Sequence, residues 1–319
     1  MRMHKVLFYI IFLLAASGFS QDYHNVDEKV RNYPHFKAVT DLGYRIMNDF
    51  DDDPDRVRAA FIWLTHNMTY GKPRRAVQQR IKNDRQGEME VELSRMERAF
   101  LTRRGVCIDY SLLLDKLCRQ FRLPSRVIIG VAKTEIKQVR GEPMFKNHSW
   151  NTVQIQGVWK LMDPTWASGH VDLSSKRFVR KYMDHYFFTS PADFVKHHLP
   201  ALPEWQLLQS PVDARTFFSG PMYYPEYFGK GIALSSNTSG IIKVSTSRHK
   251  ILYFDELPRF HGMYYTINNS PYLKKMGFRK ASDKAYFSRL HLKRKLNKAT
   301  NYLTIFHEEQ PILNFKLEE

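Results

Sequence analysis

The residues best suited to covalent chemistry are the two cysteines of this 319-residue chain, Cys107 and Cys118. Both lie in the stretch RRGVCIDYSLLLDKLC at 103–118, where apolar residues recur every three or four positions, a spacing typical of one helix face. If one helix runs from 107 to 121, the cysteines are roughly 16 Å apart along its axis, too far for a disulfide. No second ligand lies near either cysteine at a zinc-like spacing, so we expect neither a metal nor a cofactor.

The positions of the two cysteines predict different roles. Cys118 falls on the apolar helix face and is expected to be a buried core thiol. Cys107 follows Gly105 and two arginines, at the predicted start of the helix. Unpaired backbone N–H groups and the helix dipole favour an anion there, which lowers a thiol pKa towards the nucleophilic thiolate. Taken alone, Cys107 also fits a purely structural role.

A nucleophilic cysteine needs a base, and the base needs an orienting group. The segment NHSWNTVQIQGVWKLMDPTW at 147–166 predicts a β-hairpin that turns at Gln156-Gly157. In that register His148 faces Thr165, and Asp163 lies two residues along on the same face of the next strand. The side chains of His148 and Asp163 are then diagonal neighbours within reach of each other. Each also fits a structural role alone, but together with Cys107 they predict a Cys-His-Asp triad.

In this order the three residues resemble the transglutaminase-like superfamily of papain-like cysteine enzymes. The resemblance covers roughly residues 50–212, about half the chain. The kyphoscoliosis-peptidase-like branch of this superfamily often has Glu-Gly after the cysteine, where this chain has Ile108-Asp109. The motifs that resemble the superfamily are GVC at a helix start, LPSRVIIGVAK at 123–133, the hairpin, and SGH at 168–170. The stretches that resemble the branch are 59–70, 186–200 and 204–212.

The resemblance implies a reaction class and a role for each residue. Cys107 would be the nucleophile, His148 the general base and acid, and Asp163 the group that orients the imidazole. Attack on a protein or peptide amide would give a thioester, which water resolves in a peptidase or deamidase and an amine resolves in a cross-linking enzyme. The oxyanion would be held by the Cys107 N–H. Tyr70, expected at the end of the preceding helix, is either a second donor or a packing residue, and Trp166 is expected in the cleft wall or core.

A second class of function fits the same residues. The chain could be a non-catalytic binding or scaffold protein that keeps the transglutaminase-like fold and docks on anionic cell-envelope polymer. The triad residues favour the enzyme, because a chain without activity would often have lost one of them.

The strand and helix patterns predict an α+β fold in two domains. Residues 21–211 are expected to form a transglutaminase-like (papain-like) catalytic core with N-terminal helices and an antiparallel sheet. Beyond 212, short strand-like runs separated by turn residues predict a small β-sandwich-like domain at 212–319.

Residues 1–20 predict a cleavable signal peptide. A basic start, MRMHK, precedes the apolar run VLFYIIFLLAA and small residues before Gln21. The run is shorter than the roughly 20 residues that span a bilayer, although an uncleaved anchor is the alternative. We therefore expect a secreted or periplasmic protein that is not an integral membrane protein after cleavage.

The net charge of +17 favours an anionic partner. Export and the lack of a nucleic-acid-binding motif argue against nucleic acid. Residues 274–298 contain ten Lys or Arg against Asp283 as the single acid. This run predicts docking on an anionic surface such as cell-wall polymer or lipid headgroups, with an ordinary solvated face as the alternative.

Overall fold

The computed structural model describes residues 22–71, 89–141, 146–172, 175–236, 238–244, 249–258, 262–282, 285–292 and 300–319, with the backbone alone at 89–94. The predicted signal peptide lies outside these residues. The helices are α1 His24–Arg31, α2 Val39–Asp49, α3 Asp53–Asn67, α4 Met89–Thr102, α5 Cys107–Gln120, α6 Pro164–Ser168, α7 Pro191–Phe194 and α8 Ala214–Ser219. The strands are β1 Thr69–Tyr70, β2 Arg104–Gly105, β3 Ser125–Ala132, β4 His148–Ile155, β5 Val158–Met162, β6 Gly169–Val171, β7 Phe178–Arg180, β8 His198–Pro200, β9 Met222–Tyr223, β10 Ala233–Leu234, β11 Ile241–Lys243, β12 His249–Glu256, β13 Met263–Ile267, β14 Lys274–Lys275, β15 Phe278–Ser282, β16 Ala285–His291, β17 Asn301–His307 and β18 Gln310–Glu318.

Helix α5 carries both cysteines and is continuous from Cys107 to Gln120, as the apolar spacing predicts. Its buried face includes Leu113, Leu117 and Cys118, which join the main apolar core. Both cysteines are free. Helix α3, which begins with a proline in its first turn, is buried along most of its length and packs against α5.

The sheet that supports the site has the antiparallel order β5-β4-β3-β8. Strands β4 and β5 pair with Ile155 opposite Val158, which confirms the predicted hairpin register. The expectation that His148 faces Thr165 is wrong, because strand pairing stops at Met162. Pro164 is the first residue of α6, so the chain leaves the sheet directly after Asp163.

The C-terminal strands form two sheets around one apolar core, as expected for a β-sandwich. One sheet has the order β10-β12-β16-β15, and the other has β11-β18-β17-β13-β14 with β9 paired to β18. Phe254 from the first sheet and Ile305 and Phe315 from the second belong to the same buried cluster. The chain therefore has the predicted α+β class, with a papain-like core followed by a β-rich part.

Residues on both sides of the predicted boundary at 211 pack together. Val131 of β3 belongs to a small cluster with Phe217 and Phe218 of α8. The Nζ of buried Lys133 donates hydrogen bonds to three backbone carbonyls of the 217–221 segment, at 2.7 to 3.1 Å. The position of the boundary stays a prediction. In the part of the chain that the structure describes, no helix is both long and apolar enough to cross a bilayer.

Candidate active site

Cys107 is the first residue of α5, and the turn before it is built by Asp109. One carboxylate oxygen of Asp109 accepts the Val106 N–H at 2.8 Å, and the other accepts Arg95 Nε at 2.5 Å. A Cβ on residue 105 would come within 2.7 Å of the Asp109 Cβ, so the turn requires Gly105. Asp109, which stands where the Glu-Gly pattern has its glycine, thus caps the start of the helix next to Cys107.

The two thiols lie in opposite environments. Burial opposes ionisation of the partly exposed Cys107, but hydrogen bonds with His148 and Ser149 outweigh it and lower the thiol pKa. Cys118 is fully buried, and burial raises its pKa. Of the two thiols, that of Cys107 is therefore the one shifted towards the thiolate.

His148 is the first residue of β4 and links the thiol to a carboxylate. Its Nε2 donates to Asp163 Oδ2 at 2.6 Å, which leaves Nδ1 as the ring nitrogen that can exchange a proton with Cys107. Burial alone would lower the pKa of His148, but the charge of Asp163 outweighs burial and raises it to about 9. A protonated imidazole beside a thiolate is the arrangement expected of a cysteine nucleophile and its base.

Asp163 has no exposed surface and accepts four hydrogen bonds. Its Oδ1 caps α6 by accepting the N–H groups of Thr165 at 2.8 Å and Trp166 at 3.0 Å. Its Oδ2 accepts from His148 and, at 3.0 Å, from His198 Nε2. Burial opposes the charge, but the two histidines outweigh it and hold the carboxyl pKa far below its usual value.

Tyr70 lies close to the site but not where the sequence predicts it. Helix α3 ends at Asn67, and Tyr70 belongs to β1, which pairs in parallel with β2 opposite Gly105. Burial, together with the negative charges of Cys107 and Asp163, raises the Tyr70 pKa. Its phenol therefore stays protonated and can donate a hydrogen bond.

Trp166 forms part of the wall around the two histidines of the site. Its indole is half-buried, and its centre lies 5.5 Å from the ring of His148 and 4.5 Å from that of His198. The expected place of Trp166 in a cleft wall stays a prediction. Trp166 also donates its backbone N–H to Asp163, so it contacts both members of the acid–base pair.

Sequence reasoning missed His198 and Ser149. His198 lies 35 residues beyond Asp163 on a three-residue strand, and no periodic pattern connects them. The available signal was an adjacent pair of histidines before Leu-Pro in an apolar stretch. His148, Asp163 and His198 offer ligand atoms within 4.8 Å of one another, a set that could bind a metal ion. The hydrogen bonds at 2.6 and 3.0 Å already use these atoms, so a metal would have to displace both protons.

Known proteins resemble this chain in its sequence. Residues 40–164 match the family model of the transglutaminase-like superfamily. Kyphoscoliosis peptidase of Mus musculus is 28% identical over 223 residues, and that of Homo sapiens is 28% identical over 225 residues. These matches cover 69% and 70% of this chain and 32% of each relative, so the chain spans about a third of their length.

Two further matches extend the comparison. Hillarin of Drosophila melanogaster is 25% identical over 222 residues, which are 65% of this chain and 25% of hillarin. The crystal structure of a TGase is 17% identical and covers 51% of this chain and 41% of its own, with a TM-score of 0.28. The family-model match places a transglutaminase-like domain at residues 40–164 of this chain, and the two kyphoscoliosis peptidases support a resemblance to the kyphoscoliosis-peptidase-like branch of that superfamily.

Proposed function

We propose that this protein is a cysteine enzyme that attacks amide bonds of a protein or peptide substrate through a thioester on Cys107. One observation carries the proposal: the buried His148–Asp163 pair, joined at 2.6 Å, lowers the pKa of a partly exposed thiol at the start of a helix. Each group supplies what the next one needs, because the carboxylate holds the imidazolium and the imidazolium stabilises the thiolate.

The first half of the reaction forms the thioester. The Cys107 sulfur attacks the amide carbon, and the electron pair of the C=O bond moves to oxygen. As the first helical residue, Cys107 has no intrahelical acceptor for its N–H, which is available to the oxyanion, and the Tyr70 phenol is the candidate second donor. His148 then gives its Nδ1 proton to the leaving nitrogen as the C–N bond breaks.

The group that resolves the thioester decides the activity. Neutral His148 would take a proton from water in a peptidase or deamidase, or from an amine in a cross-linking enzyme. The name peptidase carried by the mouse and human relatives supports hydrolysis. Because this chain spans a third of their length, we extend only the reaction class to it.

The test is to trap the acyl-enzyme. The folded chain is mixed with a peptide library, quenched in acid and measured by intact mass, with and without added methylamine. We expect an adduct on Cys107 that is absent from Cys107→Ala and unchanged in the control Cys118→Ala. Methylamide products would indicate transamidation, and free acids would indicate hydrolysis. No adduct and no product across the library would overturn the proposed enzyme activity and favour a non-catalytic scaffold function.

We also propose that the protein is exported after removal of residues 1–20. The support is the sequence pattern of those residues, basic, then apolar, then small. Fractionation of the source cells and the N-terminal mass of the protein test this directly. A chain that retains Met1 in the cytoplasmic fraction would contradict it.

A further inference from the structure

A row of buried histidines reaches Asp163 on the side opposite the thiol. His198 Nε2 contacts Asp163 Oδ2 at 3.0 Å, and His198 Nδ1 lies 2.5 Å from Nδ1 of His197. The other nitrogen of His197 lies 3.4 Å from Nε2 of His185. His197 and His198 have no exposed surface, whereas His185 is partly exposed. The thioester chemistry proposed above uses none of the three.

The proton positions in this row follow from the chemistry of its end. An ionised carboxylate can only accept, so His198 must carry its proton on Nε2. A neutral ring then has its lone pair on Nδ1, and the contact at 2.5 Å requires the proton of His197 on Nδ1. His197 Nε2 in turn accepts from His185. Each bond therefore points towards Asp163, and bonds aligned in one direction polarise one another.

The surroundings keep these rings neutral. His198 is stacked on Phe194 at 4.4 Å and lies 4.5 Å from Trp166 and 4.9 Å from Trp150. Burial lowers the pKa of His198 to about 4, and it lowers that of His197 well below the usual value. The ionisable groups that face the row are His148 and Asp163 at the inner end, Tyr186 beside all three rings, and Lys133, Asp184, Asp193 and Lys196 around the outer rings.

The two ends of the row are fixed by different parts of the chain. At the inner end β8 pairs with β3, and Gly130 permits the close approach, since a Cβ there would lie 2.2 Å from the Leu199 carbonyl oxygen. At the outer end Phe228, which packs against the C-terminal core, is stacked on His185 at 3.9 Å with the rings 5° from parallel. The β-rich part of the chain thus contacts the row that ends at Asp163.

We infer that His198 and His197 are positioning residues, which hold Asp163 towards His148 through a one-way row of neutral imidazoles. The inference rests on the proposed function only for its catalytic meaning. The fixed proton positions and the effect on the Cys107 thiol are properties of the folded protein without substrate.

The first test is nitrogen-15 NMR of the histidine rings in the folded chain, with assignments from single His→Gln variants. We expect His198 protonated on Nε2, His197 protonated on Nδ1, and both rings neutral from pH 5 to pH 8. A reversed tautomer, or either ring becoming charged in that range, would overturn the row.

The second test measures iodoacetamide labelling of Cys107 against pH. His198→Phe keeps the stacking but removes the donor, so the Asp163 carboxylate can turn away from His148 and the imidazolium is stabilised less. We expect labelling on the acid side of the profile to slow about tenfold, the change produced by one pKa unit. His198→Gln retains an N–H near the Nε2 position and should stay within about twofold of wild type.

The control is His66→Phe, which replaces a half-buried histidine that bonds the Ile62 carbonyl outside the row. Circular dichroism verifies that each variant folds. An unchanged profile in folded His198→Phe, or an equal loss in His198→Gln, would overturn the inference. If the profile shifts as expected while wild type acylates no peptide, the positioning role stands and the enzyme proposal fails.

Discussion

The part of the chain that contains the candidate active site and the C-terminal strands bury different kinds of polar group. Among the described residues before 211, charged side chains such as Arg58, Asp109 and Asp163 are buried. Among those after 220, the buried polar side chains are neutral amides and hydroxyls and one histidine, for example Thr304, whose hydroxyl donates to Asn314 on the paired strand at 2.8 Å.

The buried charges thus belong to the part of the chain that contains the candidate active site. An unpaired buried charge costs several kcal/mol, so a fold retains one only where partners compensate it. The C-terminal sheets bury neutral groups such as Thr304 and Asn314, which need no opposite charge. Among the described residues of the first part, each buried charge has a definite partner, and the pair of His148 with Asp163 also lowers the pKa of the Cys107 thiol. The comparison predicts that the two parts respond differently to loss of charge.

The largest effect is expected from the nucleophile and its base. Cys107→Ala and His148→Ala should each lower the turnover of a peptide that forms the acyl-enzyme by about 10⁴-fold or more, because both residues act in one step. The double variant should lose little beyond either single variant. Initial rates on the same peptide provide the measurement, with Cys118→Ala as the control for loss of a thiol. Multiplicative losses in the double variant would mean that the residues act independently.

The next effect concerns stability. Arg58 is buried and binds both oxygens of Asp27 at 2.7 Å and one oxygen of Asp184 at 2.5 Å, so it joins α1 to α3. Arg58→Ala should lower the free energy of unfolding by about 3–5 kcal/mol, because it strands a buried carboxylate. The matched control Arg45→Ala removes a half-exposed partner of Asp49 and should cost much less, because solvent screens an exposed pair. Denaturant titration measures both, and equal losses would contradict the distinction.

The sequence predicted the parts of the site that depend on local spacing. The helix from Cys107 follows from apolar periodicity, and the hairpin register follows from a two-residue turn, whose Gln156 and Gly157 both have positive φ. The hairpin pattern brings the imidazole and the carboxylate together, and the helix pattern places the thiol at the first residue of α5. The pattern failed at Asp163, because Asp-Pro also starts a helix, and here Asp163 caps α6 instead of extending the strand.

Contacts between distant segments could not be predicted in this way. His198 reaches Asp163 because β8, three residues long, pairs with β3 across from the hairpin. A strand of that length has no measurable alternation, and its pairing is decided by tertiary packing. Ser149 was missed for a different reason: it lies next to His148 in sequence, but its hydrogen bond to the thiol depends on how α5 packs on β4.

Replacing Asp163 by Asn tests the orientation of the base. The remaining oxygen can still cap α6, so the fold should be retained. The new NH₂ group faces the N–H groups of His148 and His198, and donors cannot bond donors. His148 must then take the other tautomer and loses the charge that stabilises it. We expect the Cys107 pKa to rise by about one unit, measured as the pH dependence of iodoacetamide labelling.

The pH profile of turnover provides a second measurement of the same variant. In wild type, kcat/KM should fall as pH rises above about 9, because His148 loses the proton that it gives to the leaving nitrogen. In Asp163→Asn this upper limb should move to lower pH. A folded variant with an unchanged labelling profile and limb would mean that Asp163 does not orient His148.

In contrast to the buried charges of the site, the described charges of the basic stretch at 274–298, in the β-rich part, are exposed. Lys274, Lys275, Arg279, Lys280 and Arg289 are all exposed. No acidic side chain is present within 274–282 and 285–292, the portions of this stretch that the structure describes. Such a cluster attracts anionic surfaces over about one Debye length, roughly 8 Å at physiological ionic strength.

The smallest effect is expected when one of these charges is removed. We propose that this surface docks on anionic polymer or lipid, and Lys275→Gln should weaken binding to phosphatidylserine vesicles by about 1 kcal/mol, or about fivefold. The control Lys37→Gln removes another exposed lysine, which lies before residue 211, and should leave binding unchanged. Vesicle sedimentation at rising salt provides the measurement, and binding should vanish near 1 M, where the Debye length is about 3 Å. Equal losses in both variants would mean that net charge alone attracts the protein. Binding that does not depend on salt, or no binding, would indicate that the stretch is an ordinary solvated surface. The exposed charges would then have no function in the β-rich part.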